Sequence, residues 1–201
     1  MSRIKELVVL IFDETAQSAV YEERMQSGSG VAVRDPDPHN AVAALEEIQK
    51  RAEQAGVGLE DAVIAFKKRD GRIKIKQTSG RTTGKGAGRG GFLGLLVGLI
   101  FGGPLLGALL GLGLGAILGR RADHGLDDEF IRKVSKSLKP TNSALLLLLD
   151  TELTEEGTAY LQSFNAELHI TEITEHTEQA VSQAAEDEAI AQAVETEFTA
   201  D

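Results

Sequence analysis

Cysteine is absent from the 201 residues, which excludes disulfides and any zinc or iron-sulfur site built on thiolates. The four histidines would have to carry any soft-metal site alone. Lys and Arg are missing from residue 140 onward: 140–201 holds 14 Asp and Glu and no basic residue, whereas 1–139 holds 21 basic against 17 acidic residues. Such a tail repels phosphate, so no nucleic-acid partner is expected; it reads as a solvated surface, with a protein partner for it left open. The opening stretch MSRIKELVVLIFDET lacks the basic region, long apolar core and small-residue cleavage site of a secretory signal, and the bulk of the protein is expected on the cytoplasmic side. No G-x-S-x-G elbow occurs, so nucleophilic catalysis has no support and no enzyme activity is expected.

What is present reads as one domain with an appendage. Residues Ile4 to Phe12 form a Val- and Ile-rich apolar run of strand type, and 27–38, with two Asp-Pro steps, read as a loop. Val42, Leu45, Ile48 and Ala52 recur at helical spacing, with Asp37 or Asn40 as N-cap and Gly56 as stop. Two β-type runs flank Asp70-Gly71, a strong hairpin signal because both central turn positions need positive φ. In the second run Ile73 and Ile75 alternate with Lys74 and Lys76, so one face meets solvent. Phe130, Val134 and Leu138 then mark a helix ending before Pro140, and NSALLLLLD reads as a strand buried on both faces.

In order these are strand, helix, strand, strand, insert, helix, strand, which predicts an α+β protein: a ferredoxin-like βαββαβ antiparallel sheet with an inserted apolar glycine-rich helical hairpin. A C-terminal α-β-α extension follows, its last helix acidic and prone to fray. The expected divisions are 1–79 and 123–175 for the two parts of the ferredoxin-like domain, 80–122 for the hairpin, and 176–201 for the acidic tail.

LEDAVIAFKKRDGRIKIKQ, the glycine-leucine block, HGLDDEFIRKVSKSLKPTNSALLLLL and LTEEGTAYLQSFNAELH together resemble the bacterial family known as domain of unknown function 1269, described as predicted membrane proteins. The resemblance spans 1–13 and 40–175. It implies a membrane or stress-related setting, and no activity, cofactor or catalytic residue.

The stretch from Gly90 to Gly119 holds eleven leucines and eleven glycines without a charge, a hydroxyl or an amide side chain. Gly86, Gly90, Gly94, Gly98 and Gly102 repeat every fourth residue, as do Gly103, Gly107, Gly111, Gly115 and Gly119, the two series meeting at Gly-Gly-Pro. This spacing lines one helix face with glycine, on which another backbone can pack closely. A flexible linker is the bland alternative, but eleven leucines in water would make a patch that soluble monomers avoid. A solvated helix with so many glycines would melt, each costing about 1 kcal/mol relative to alanine. One helix of thirty residues would be roughly 45 Å, longer than the bilayer core, with Pro104 in its middle.

Because the strands before and after the block should join one sheet, the chain must return to the side it left. A helical hairpin follows, with Arg81, Lys85 and Arg89 before it and Arg120 and Arg121 after it on the cytoplasmic face, where they would meet anionic headgroups. Leu93, Leu96, Leu99, Leu105, Leu109 and Leu112 would then face lipid or neighbouring copies.

Other motifs carry less. Gly86, Gly88 and Gly91 satisfy G-x-G-x-x-G formally, but the following segment is wholly apolar and no ribose-binding acid stands about twenty residues on. GRTTGKG is one residue short of a phosphate loop and lacks Ser or Thr after Lys85. His169 and His176 lie near Glu172 and Glu175 without metal-site spacing and read as a solvated edge; His39 and His124 read as surface residues. Asp127, Asp128 and Glu129 suit the positive end of a helix dipole, and with Asp61 they make no paired-carboxylate site. The leading expectation is a non-enzymatic inner-membrane protein without cofactor or metal, homo-oligomeric through its glycine hairpin. A soluble, shell-like scaffold with hairpins packed centrally, or a small-ligand sensor using the sheet, are the alternatives.

Overall fold

The computed structural model describes residues 5–14, 38–68, 72–77, 97, 100, 128–140 and 142–174. Among them are five strands, β1 (Lys5–Asp13), β2 (Leu59–Lys67), β3 (Ile73–Gln77), β4 (Asn142–Leu149) and β5 (Ala166–Ile173), and three helices of eight residues or more, α1 (His39–Ala55), α2 (Asp128–Ser137) and α3 (Glu155–Gln162). The strands form one antiparallel sheet in the order β3-β2-β4-β1-β5.

The α+β class and antiparallel sheet agree with the sequence, but the strand roles differ. The predicted pattern made 73–77 the third strand and 144–149 the fourth, with 166–173 in an extension. Instead β4 sits centrally between β2 and β1, β3 pairs only with β2 at one edge, and β5 closes the other edge against β1. The side chains explain this. ALLLLL has no polar face and is stable only between two strands under two covers, whereas IKIK presents lysines that an edge position leaves near water. The connection containing α1 bridges the parallel pair β1 and β2, with β4 between them, and the connection containing α3 bridges the parallel pair β4 and β5, with β1 between them.

Alternation sorts the sheet into two faces. One carries Val8, Leu10, Phe12, Ala62, Ile64, Leu145, Leu147 and Leu149 beneath Ala41, Ala44, Leu45 and Ile48 of α1 and Leu161 of α3. The other carries Leu7, Val9, Ile11, Val63, Ala65, Ala144, Leu146 and Leu148, none more than 4% exposed. Burying each of the Val, Leu, Ile and Phe side chains contributes about 1.5–3 kcal/mol, so both faces are core. The second face also receives α2, whose Phe130 and Val134 are buried as the spacing predicted, as is Leu138 just beyond its last residue.

Helix α1 stops at Gly56, as expected, in the left-handed conformation at φ 68°. Its start is not as expected: the N-cap position is Pro38, which offers no side-chain oxygen, rather than Asp37 or Asn40. The Asp70-Gly71 turn lies outside the described residues, yet Lys67 faces Ile73 and Lys68 N–H donates to Arg72 O at 2.8 Å, so the two strands are joined as a hairpin.

Candidate functional site

The glycine-rich segment lies in sequence between β3 and α2, and β3 and the strand that follows α2, β4, belong to one sheet. The predicted packing glycines Gly90, Gly94, Gly98, Gly102, Gly103, Gly107, Gly111, Gly115 and Gly119, and the predicted headgroup contacts Arg81, Lys85, Arg89, Arg120 and Arg121, lie outside the described residues, as do His124, His176 and the acidic tail. Two residues of the block are described. Val97 and Ile100, one helical turn apart, are helical and buried, at 0% and 3% exposure. Among the described residues no helix is long and apolar enough to cross a membrane.

The return point is anchored on β5. His169 and Glu167 pair across with Val9 and Ile11, which puts them on the second face of the sheet, the side on which α2 lies. Phe130 meets the His169 ring edge-on at 6.3 Å, and Ser137 Oγ donates to Glu167 Oε1 at 3.0 Å. His169 Nε2 stands 2.9 Å from the same Glu167 oxygen, but the ring points off the line a hydrogen bond needs, and the buried nitrogen has no hydrogen-bond partner. The solvated-edge reading of His169 is therefore corrected: its side chain is 13% exposed and packed under α2. The edge of the sheet in the hydrogen-bonding direction is not the edge of the protein when a helix covers the strand's face. His39, by contrast, is exposed as expected.

Two buried carboxylates at opposite ends of β1 escaped the sequence reading. Glu14 is 2% exposed; it accepts from Ser143 Oγ at 2.7 Å and from Asn40 N–H at 3.2 and 3.3 Å through its two oxygens. It does from another strand what the missing N-cap side chain of α1 would have done, and its charge suits that positive helix end. Glu6, 7% exposed, accepts from Leu153 N–H at 2.8 Å and so fixes the chain entering α3. The only foresight available was position: an acid directly flanking an apolar strand. Ser143 is fully buried and its proton is committed to Glu14, so this hydroxyl-carboxylate pair braces the fold and does not face a substrate.

Asp61 is half-buried in β2, and burial raises its carboxyl above the ordinary 3.8 while the Ala62 N–H bond partly offsets this and Glu60 adds to it. It neighbours no second acid in a metal-binding arrangement; no group of three metal-ligating side chains occurs among the described residues. The polar contacts described above hold helices and turns together.

In comparison with protein families, residues 87–186 match the family described as protein of unknown function (DUF1269). The match begins at the glycine block and continues through α2, β4, α3 and β5, whereas the resemblance read from the sequence had also taken in 1–13 and 40–86. No curated protein and no solved structure matches the chain.

Proposed function

The chain belongs to the DUF1269 family through residues 87–186, and on that premise we propose that it is a non-enzymatic, membrane-associated protein that self-assembles through its glycine-rich segment, with a structural or stress-related role. The observation that carries this reading is the uncharged stretch Gly90 to Gly119, with its two four-residue glycine series and basic residues on both flanks, leaving and re-entering a single sheet. In this reading β1-α1-β2-β4-α3-β5 is a ferredoxin-like core, and β3, the helical hairpin and α2 elaborate its middle connection. The hairpin enters the inner membrane from the cytoplasmic side and pairs with other copies along its glycine faces, while Arg81, Lys85, Arg89, Arg120 and Arg121 hold headgroups.

A second reading has its own support. Val97 and Ile100 are buried within a single chain, which suits a water-soluble form whose apolar segment is packed against protein. Membrane fractionation followed by carbonate extraction separates the two: retention in the extracted membrane supports insertion. A monodisperse soluble oligomer that ignores liposomes would reject it in favour of the soluble scaffold.

A further inference from the structure

The net charge of −10 conceals a sharp division along the chain. Residues 67–121 carry 11 Lys and Arg against a single acid, Asp70, while the remaining residues carry 10 basic against 30 acidic. Six of the eleven cations fall between Lys67 and Lys76, in the β2-β3 hairpin, before the predicted headgroup contacts begin. Four of these six cations reach the β3 side of the sheet at least partly exposed, whereas Lys68 is buried. β3 is an edge strand, with Arg72 and Lys76 exposed and Lys67 and Lys74 half-buried. Glu6, Glu60, Asp61 and Glu172 sit at the far ends of β1, β2 and β5 from the β2-β3 turn, while Asp13, Glu14 and Glu167 stand at the turn end but on or beside β1 and β5, separated from β3 by β2 and β4.

We infer that the β3 edge, through Lys67, Arg72, Lys74 and Lys76, is a docking surface for an anionic lipid bilayer. The inference rests on the membrane reading above and adds to it a contact made by the folded domain itself. A lysine on an edge strand also deters pairing with another sheet, but one charge suffices for that, and here the basic run continues for fifty-five residues with one acid. A second copy of the same edge is repelled by the same charges. Nucleic acid would offer phosphates too, yet β3 supplies only isoleucine and one glutamine beside its lysines, and the one ring paired with it, Phe66 opposite Lys74, is a single side chain and not a row on which successive bases stack. The basic run leads directly into the uncharged apolar segment, an order that suits headgroups followed by hydrocarbon.

The test is flotation of the purified full chain with phosphatidylcholine vesicles and with vesicles containing phosphatidylglycerol, at low and high salt, for wild type and the triple variant Arg72→Gln, Lys74→Gln, Lys76→Gln. Each cation near an acidic surface changes partitioning about fivefold, so the triple variant should bind acidic vesicles roughly a hundredfold more weakly, and wild-type binding should fall with salt. A conservative triple, Arg72→Lys, Lys74→Arg, Lys76→Arg, should retain binding; urea unfolding of both variants shows whether a loss reflects the charge or the fold. Wild type that floats equally with neutral vesicles would overturn the docking edge and leave membrane insertion standing. Wild type that floats with neither would overturn both. Binding to single-stranded RNA in preference to acidic vesicles, abolished by the glutamine variant, would assign the edge to nucleic acid and also overturn the inference.

Discussion

Glu14 joins β1, β4 and the first turn of α1 through one carboxylate. Glu14→Ala leaves the buried Ser143 hydroxyl and the part-buried Asn40 N–H without this acceptor, and a buried group stranded in this way costs about 1–3 kcal/mol. A loss of about 3 kcal/mol in urea unfolding is expected; Glu14→Gln, which keeps one acceptor oxygen, should lose less. Asp61 acts in the opposite sense. Its folded carboxyl titrates above 3.8 because burial penalises the ionised form, so between 3.8 and the raised value the folded state binds more protons than the unfolded state. Stability therefore falls as pH rises through that window. Asp61→Asn removes the penalty: unfolding measured across pH should show the variant gaining on wild type above the window, with the difference fading in more acidic solution.

At the scale of elements, the helix ends are held by unlike means. Gly56 ends α1 at φ 68° with open space where a side chain would go, so Gly56→Ala meets only backbone strain; about 1 kcal/mol should be lost, and less with Asn. Thr154 caps α3 by accepting from Gly157 N–H at 3.1 Å, and Thr154→Ala should cost about 1 kcal/mol in the same measurement. At Gly58 a Cβ would need the Asp150 carboxylate to swing aside, while Asp150 N–H donates to Gly58 O. The elements themselves were legible. Helical spacing located α1 and α2, and the apolar and alternating runs located the strands, because those patterns record which side chains must leave water. The cap of α1 was not legible, since its acceptor lies 26 residues away in sequence.

For the whole molecule, β3 and β4 do share one sheet, as the return of the chain required. In the proposed assembly, Gly98→Leu or Gly111→Leu fills the close approach between helices, and crosslinking should show the higher-order species lost; unchanged assembly would count against the glycine faces. The charge division between 67–121 and the rest, and the apolar block within it, were set by composition alone. So were the absence of thiolate chemistry and the burial of both faces of β4, whose leucines admit no solvent face. Strand order, the placement of His169 beneath α2 and the brace made by Glu14 were decided by the tertiary structure. Local pattern reports how many faces of a segment must be buried. Which distant segment buries them depends on packing the whole chain at once, so the two faces of one sheet, and the polar groups trapped at its ends, acquire their partners only on folding.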